Sequence, residues 1–449
     1  MRIETDFAES ALEMALKGGA ESADIFIKSR TGVSAESKGG EPESIKSSED
    51  LAYAIRVFAS GGTGLSYSTR KEDAAEVVRA ALESARHTHK ENGFTGAALP
   101  EGPFVYPEID IYDPETARVD SKLVFEKAMQ VEHGATSADP RIKNVRSAVA
   151  SFSVSEVLIM NTKGVSGSYS ATSASAQIMA VGSDGKDSQM GWDFQDSSYL
   201  ADINFGEVGR MAAQRALELL GAGRTSPSKA PLVIDGPIMA ELLEVFASML
   251  SAEAVQKGKS LLAGKLGQKI ISPMLNMIDD GLIARRPGSR PFDDEGVAAS
   301  RKALIKNGVL QGYMHNSKTA ARDKIKSTGN GVRPSIMSFP GVGPLNIYLE
   351  SAAGAPVKKE ELMSRAGNGV YVTSAMGMHT INPISGEFSI GISGLLIENG
   401  KAGRPVKEMV VSGNVLDLFA NIIALGDDFR FYGEAGAASA LAGPVDISA

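Results

Sequence analysis

The sequence predicts an α+β protein, and three features support that class. Glycine supplies 48 of the 449 residues, more than the usual ~7%, which suits many tight turns between strands. Residues 144–197 alternate Ser, Ala, Val and Gly with few charges, a pattern typical of antiparallel strands. Residues 237–257 place apolar side chains at helical spacing. We therefore expect N-terminal mixed units with antiparallel strands, followed by a mostly antiparallel or barrel-like C-terminal sheet with one long helix.

The first predicted unit, residues 1–92, combines two helices with antiparallel strands. The helices are predicted over 5–17 and 72–87, each with apolar residues along one side. Between them, residues 23–28 and 51–58 are rich in β-branched and aromatic side chains, which favours strands.

The second predicted unit, residues 93–222, is rich in strands and flanked by helices. Its start, 93–118, contains many prolines and acidic residues and predicts a linker or an extended wrap. The predicted helices are 121–138 and 207–220, and the predicted strands include 154–160 and 173–179. Small and proline-containing residues over 221–231 then indicate a connector to the next domain.

The third predicted domain, residues 226–449, is β-rich and contains the helix 237–257. Pro237 occupies the position where proline favours the first helical residue. The pair Asn307-Gly308 lies between two apolar runs, which predicts a hairpin.

The composition excludes several classes of site. Without cysteine, the chain has no disulfides, thiolate metal ligands or cysteine nucleophiles. A formal charge of -8 argues against direct nucleic-acid binding by the whole surface. No run of about 18 apolar residues is present to span a bilayer. The acidic N-terminus does not resemble a signal peptide, so we expect a cytoplasmic protein without a membrane partner.

Two polar stretches are candidates for chemistry. The first, 290–296, holds three consecutive acidic residues beside a glycine. The second, 376–389, presents four polar side chains in a predicted loop: His379, Asn382, Ser385 and Glu387. Loops often carry function, but Asn-Pro and Ser-Gly pairs also form turns. The glycine-rich run 328–333 has the same two interpretations, an anion-binding loop or a turn.

Several longer motifs are similar to those of the TldD/PmbA family, and more closely to its PmbA (TldE) branch. The matching runs, in order, are ADIFIKS, PFDDEG, LIKNGVLQGYMHNSKTA, TGNGVRPS, GMHTINPISGEFSIGISGLLIENGK, PVKEMVVSGN and ALGDDFRFYG. Order and spacing agree over nearly all of the chain, and the C-terminal half is the more specific part.

The resemblance implies a component of a two-subunit peptidase that trims or degrades peptides, from a family also named for modulation of DNA gyrase. The catalytic TldD-like subunit carries HExxxH on a helix and a later cysteine, which together hold a metal. Placed on the 237–257 helix, this motif puts Leu243 and Ser248 at the histidine positions and Glu244 at the glutamate. Leucine has no donor atom, a lone serine is a poor zinc ligand, and the cysteine is missing. The resemblance therefore implies no catalytic residue and no metal in this chain.

The metal, expected to be zinc, would belong to a TldD-like partner subunit with the HExxxH motif. This chain would shape the chamber that receives an extended peptide, and the 376–389 loop would form a wall of that chamber or a partner contact. It could form a homodimer when alone.

Two other hypotheses stay open. The chain could be a stand-alone peptide-binding or assembly protein without peptidase activity. It could also be a metal-independent hydrolase that uses His379 with Glu387 and a nearby hydroxyl group.

Overall fold

The computed structural model describes residues 4–88 and 99–448 and confirms the α+β class. Antiparallel pairing joins nearly all strands, and the C-terminal part contains a closed barrel. The predicted boundary between residues 92 and 93 lies outside the described residues. No helix in the described ranges is long and apolar enough to cross a membrane.

The N-terminal half is built on one antiparallel sheet with the strand order β3-β2-β1-β4-β5-β6. Its strands are β1 (Ser22–Lys38), β2 (Glu41–Ala59), β3 (Gly62–Ser68), β4 (Ile142–Asn161), β5 (Ser166–Ser183) and β6 (Ser188–Ser197). Because β1 pairs with both β2 and β4, strands from the first and second predicted units form one sheet.

Four helices cover one face of this sheet: α1 (Thr5–Lys17), α2 (Ala74–His87), α3 (Ser121–Thr136) and α4 (Phe205–Glu218). The first two pack on β1 and β2, and the other two pack on β4 and β5. Alternate residues of the strands face these helices, while the intervening residues face the opposite side. On β1, for example, Ile25 faces the helices and Phe26 faces the C-terminal half.

The C-terminal half contains two large sheets and five helices. Its strands are β7 (Ser228–Ile234), β8 (Leu275–Asp280), β9 (Arg301–Lys306), β10 (Val309–Leu310), β11 (Gly331–Val332), β12 (Gly341–Val342), β13 (Ile347–Ser351), β14 (Gly369–Met376), β15 (Glu387–Glu398), β16 (Lys401–Asn414), β17 (Ile422–Leu425), β18 (Arg430–Tyr432), β19 (Ala435–Ala437) and β20 (Ala440–Ser448). Its helices are α5 (Gly236–Met249), α6 (Ala252–Gln256), α7 (Ser317–Asp323), α8 (Lys359–Ala366) and α9 (Val415–Ala420). The predicted Asn307-Gly308 hairpin is present between β9 and β10.

One of the two sheets closes into a five-stranded barrel. The strands β16, β15, β14, β7 and β20 are neighbours in that order, and pairing of β16 with β20 closes the ring at Val410–Ser448 and Val411–Ile447. A closed ring leaves no unpaired edge for another chain to join. The other sheet has the order β10-β9-β8-β13-β19-β18.

The helix α5 belongs to the same hydrophobic core as both sheets. Ten of its residues are buried, and its Phe246 ring lies 4.9 Å from that of Phe419 on α9, between ring centroids. Burying one such side chain stabilises the fold by about 1.5–3 kcal/mol. This helix therefore connects the barrel to the second sheet.

The predicted helix over 237–257 is wrong in its length, because α5 ends at Met249 and α6 begins at Ala252. The intervening Ser251 has an extended backbone and forms a β-bridge with Met314. The Met314 N–H donates to the Leu250 carbonyl, and the Ala252 N–H donates to the Met314 carbonyl. These hydrogen bonds to a distant segment replace the helical ones and break the helix in two.

A buried ion cluster joins the N-terminal sheet to the C-terminal half. Arg56 on β2 donates to both Asp24 on β1 and Glu295, with an Nη1–Oε1 distance of 2.9 Å to the latter. Arg333 adds a contact of 3.5 Å to Asp24. Glu295 also accepts from the Ser317 N–H at 2.6 Å. The acidic stretch 290–296 thus has a structural role at this junction.

Asp293 lies at the centre of the same junction and is fully buried. It accepts from three backbone N–H groups, of Glu295, Val297 and Gly331. Burial and the Glu295 carboxylate outweigh these bonds and raise the pKa of Asp293 to about 7. Within the run 328–333, the Gly331 N–H donates to the Asp293 carboxylate, and the Arg333 N–H donates to Asp294 Oδ2 at 2.7 Å. These two residues therefore stabilise the protein's own acidic segment.

Three arginines cover the free edge of β6. The outward carbonyls of Trp192, Phe194 and Asp196 accept hydrogen bonds from Arg215, Arg430 and Arg286, respectively. Arg215 comes from α4, whereas the other two come from the C-terminal half. Each arginine also forms an ion pair with a β6 aspartate, Asp193 or Asp196. These hydrogen bonds satisfy the outward carbonyl groups of β6, which could otherwise pair with another strand.

We expect Arg56→Met to destabilise the protein by about 3–5 kcal/mol, because the buried Glu295 loses its cation and Asp24 keeps only the 3.5 Å contact with Arg333. Arg79→Met is the matched control, since Arg79 pairs only with exposed glutamates on α2 and its loss should cost less than about 1 kcal/mol. Denaturant unfolding of both variants measures the difference. Equal destabilisation would contradict a role for the buried cluster.

Asp293 predicts a pH dependence of stability. Its pKa is about 7 in the folded protein, above the ordinary aspartate value of 3.8, so the folded state binds more protons between these pH values. Stability should therefore fall as pH rises from about 4 to about 7. Asp293→Asn removes this titration and should flatten the curve of thermal midpoint against pH. A variant with the slope of the unmodified protein would refute the assignment.

Candidate functional site

One stripe of α5 is open to solvent. Glu244 and Ser248 are exposed and Glu241 is half-buried, and their spacing places them on one side of the helix. Leu243 points elsewhere and is 0% exposed within the core. The Ser248 hydroxyl donates to the Val245 carbonyl at 2.7 Å. Of the three aligned motif positions, only Glu244 presents an unengaged polar group.

Both α5 glutamates have altered acidity. Burial by the surrounding protein raises the pKa of Glu244. Burial also raises the pKa of Glu241, and the charge of Glu244 adds to this shift. Since Glu244 remains exposed, solvent reaches it although protein surrounds it on several sides. This combination indicates that the stripe lies in a recess.

Other charged groups line the same recess. Burial raises the pKa of Glu434, which follows β18; Arg290 opposes the shift, and Asp279 and Glu244 strengthen it. Glu434 is nevertheless exposed, as expected for a side chain in a cleft. Arg290 lies between Glu434 and Asp294, and its Nη1 is 3.2 Å from the Asp294 carboxylate.

The N-terminal sheet contributes two further side chains, Lys28 and Tyr169, near Arg290 of this group. Pairing of β1, β4 and β5 places Lys28, Val157 and Tyr169 side by side on one face. Burial lowers the pKa of Lys28, which lies near Asp294 and Arg290. Burial raises the pKa of Tyr169 to about 12.

These side chains define the charged cleft: Lys28, Tyr169, Glu241, Glu244, Arg290 and Glu434. The set combines three carboxylates with a lysine and an arginine, so it offers both acidic and basic groups.

The loop 376–389 connects β14 to β15 and is held mainly by its own hydrogen bonds. Asn382 Oδ1 accepts from the Ile384 and Ser385 N–H groups. Ser385 Oγ donates to Glu387 at 3.2 Å. His379 lies in a single 3₁₀ turn and is exposed. The structure therefore brings Ser385 to Glu387, while Asn382 shapes the turn.

The same loop packs against the core that contains α5. Ile381 is 5% exposed in that core, and Met378 packs against it. The Pro383 carbonyl accepts from the Leu261 N–H at 3.1 Å. Met376 and Ile384 remain 71% and 52% exposed. The loop is thus anchored on one side and presents apolar side chains on the other.

A buried polar network fixes the start of α5. The Asp235 carboxylate accepts from Lys359 at 2.9 Å, Tyr371 at 2.7 Å and Ser439 at 3.3 Å. Arg215 of α4 lies 3.4 Å from its other oxygen. Although burial acts to raise the pKa of Asp235, Lys359 and Arg215 together lower it. These contacts orient the helix relative to the barrel and to the N-terminal half.

The residues on α5 do not fit a metal ion. Leu243 has no donor atom, the Ser248 hydroxyl is engaged, and one carboxylate does not make a metal site. Among residues 4–88 and 99–448, no three His, Asp or Glu side chains form a group that could hold a metal.

The sequence analysis did not associate Lys28, Tyr169, Arg290 or Glu434 with α5. These residues come from four distant segments. Lys28 and Arg290 belong to the runs ADIFIKS and 290–296, but neither run indicates a contact with α5. The only available signal was alternation along β1, which places Lys28 on the same face as Phe26.

Family models match three parts of the chain. They are described as PmbA/TldA metallopeptidase domain 1 (residues 23–85), central domain (112–220) and C-terminal domain (227–449).

Individual proteins give similar matches. The metalloprotease PmbA of Escherichia coli O157:H7 is 27% identical over 432 residues, covering 96% of this chain and 92% of that protein. A Thermotoga maritima crystal structure, described as a candidate modulator of a DNA gyrase, is 28% identical with a TM-score of 0.89 and covers 99% of both chains. TldE from Thermococcus kodakarensis, at 21% identity, has a TM-score of 0.88 and covers 99% of this chain and 100% of that chain. This last likeness shows the shared fold alone.

We expect Glu244→Gln to stabilise the protein slightly at neutral pH. The pKa of Glu244 is raised in the folded state, so its ionised form disfavours folding above that pKa and the penalty disappears below the ordinary glutamate pKa. Because solvent reaches the carboxylate, the gain should be only a few tenths of a kcal/mol.

Thermal midpoints at neutral and acidic pH would measure this gain. Glu9→Gln on the exposed side of α1 is the control and should show no pH-dependent gain. A destabilised Glu244→Gln variant at neutral pH would show that the carboxylate makes a favourable contact.

Proposed function

The chain belongs to the PmbA/TldD metallopeptidase family, and we propose that it is the subunit without the catalytic metal in a cytoplasmic peptidase heterodimer. Its partner would be a TldD-like chain with HExxxH, which holds the metal, expected to be zinc. The complex would trim or degrade peptides or unfolded proteins.

This proposal rests on the few potential metal ligands that α5 offers. A metal-activated water needs several ligands and a base, whereas this helix offers Glu244 alone beside buried Leu243 and self-bonded Ser248. Leu243 contributes to the core instead, and a histidine there would place a polar ring among apolar side chains. The helix is therefore suited to stability and to lining a chamber.

The charged cleft and the 376–389 loop support a role in holding peptide. Lys28 and the carboxylates of Glu241, Glu244 and Glu434 would contact charged groups of an extended chain. The loop would add apolar contact through Met376 and Ile384, either to the peptide or to the partner. Such contacts accept many sequences, as a peptide-degrading complex requires.

An assembly protein that binds peptides without any peptidase partner is the second candidate. The same cleft favours it, because a binding cleft needs no metal. The two candidates differ in whether an HExxxH subunit binds this chain, as a heterodimer or otherwise.

A metal-independent hydrolase has less support. Ser385 and Glu387 are in contact, but no hydrogen bond joins His379 to either within the described residues. His379, as the general base, would therefore lack the hydrogen bond to a nucleophile such as Ser385 that this kind of catalysis needs.

Purification of this chain alone and together with an HExxxH chain from the same genome tests the proposal. Alone, it should bind no stoichiometric metal and show no chelator-sensitive cleavage of an unfolded protein. The co-purified pair should contain metal and cleave.

Matched substitutions sharpen this test. Glu→Gln in the partner's HExxxH should lower cleavage by about 10²–10⁴-fold, because it removes the general base. Glu244→Gln in this chain should raise KM for the unfolded protein and leave kcat within about twofold, because Glu244 would contact the peptide and not the reacting atoms. Metal-dependent cleavage by this chain alone would overturn the assignment, and failure of the two chains to associate would favour the stand-alone protein.

A further inference from the structure

Two segments of the C-terminal half carry positive charge on a protein whose formal charge is -8. Residues 257–269 contain four lysines and no acidic residue. Residues 318–326 contain three lysines and Arg322 with one acidic residue, Asp323. We call these two segments together the lysine patch.

The two segments are neighbours in the structure. Gln256, next to the first segment, donates to the carbonyl of Thr319 in the second at 2.9 Å. Tyr313, which precedes the second segment, donates to the Leu262 carbonyl at 2.7 Å. The negative charge of Asp323 also contributes to the raised pKa of Tyr313, after burial. The lysines therefore add their charges on one surface.

Most of this charge is not neutralised by the protein itself. Lys259, Lys269, Lys324 and Lys326 are exposed and make no ion pair with any described residue. Lys257 pairs with Glu253 at 2.7 Å.

Each segment also exposes one aliphatic side chain between lysines. Leu266 lies between Lys265 and Lys269 and is 57% exposed, and Ile325 lies between Lys324 and Lys326 and is 52% exposed. An exposed apolar side chain that lies between cations gains little free energy from contact with water or with phosphate groups alone. They gain free energy when they enter a hydrocarbon layer whose headgroups attract the cations.

We propose that the lysine patch binds the surface of an anionic lipid bilayer, with Leu266 and Ile325 entering the interface. Nucleic acid is favoured less, because the patch has one arginine and no exposed aromatic residue to stack on bases. The proposal concerns peripheral attachment and does not depend on the peptidase assignment.

Vesicle co-sedimentation with the full chain tests this proposal. The protein should bind vesicles of phosphatidylcholine with about one-third phosphatidylglycerol and not vesicles of phosphatidylcholine alone, and binding should weaken with salt. Lys324→Glu/Lys326→Glu should lower the partition coefficient at least about tenfold. Leu266→Ser/Ile325→Ser should lower it several-fold while the salt dependence remains.

Lys143→Glu/Lys186→Glu makes the same charge change in the N-terminal half, on β4 and on the turn between β5 and β6. It is the matched control and should bind as the unmodified protein does. Unchanged thermal midpoints would show that every variant is folded. The proposal is overturned if the unmodified protein does not bind the anionic vesicles. It is also overturned if the control loses binding equally, or if duplex DNA binds more tightly than the vesicles at the same salt concentration.

Discussion

The Arg56 guanidinium is the contact on which the arrangement of the two halves depends. It lies between Asp24 of the N-terminal sheet and Glu295 of the C-terminal half, and it is 4% exposed. Removing charges from water costs several kcal/mol per ion unless they are paired. The buried Glu295 carboxylate of the C-terminal half therefore depends on a cation from the N-terminal sheet. The same junction brings Lys28 of β1 near Arg290 and Asp294, and so into the charged cleft.

Paired buried charges also hold the start of α5. Asp235 is buried and accepts from Lys359 of α8 and from Tyr371 of the barrel strand β14, while Arg215 reaches it from α4. The helix axis is thus set by charge contacts at one end and by apolar packing along its length. Under the proposed function, Leu243 is part of that packing in place of a ligand. A subunit that holds no metal would use this position for core packing, and its helix would still line the chamber.

Much of the fold was predictable because local patterns determine it. Periodicity and turn residues predicted the helix at Thr5–Lys17 and the Asn307-Gly308 hairpin. A mostly antiparallel or barrel-like C-terminal sheet was also predicted, but without its strand order. The break at Ser251 was not predictable, since it depends on hydrogen bonds to Met314, which is distant in sequence. The acidic stretch 290–296 suggested chemistry, and only its pairing with Arg56 and Arg333 revealed a junction. The cleft was hidden for the same reason, because its members come from distant segments.

Some charged side chains of this protein are paired within the fold, whereas others are unpaired and available to bind another molecule. Arginines such as Arg56 and Arg430 are paired across the junction or along the β6 edge, where their planar groups bond several oxygens at once. The cleft carboxylates are different, because Glu241 and Glu244 make no ion pair with described residues and their pKa values are raised. These ionised carboxylates do not stabilise the fold, and an apolar residue at either position would remove the free-energy cost of partly burying their charge. A cation brought to the cleft would lower both pKa values, so the charges left unpaired by the fold are those best placed to bind another molecule.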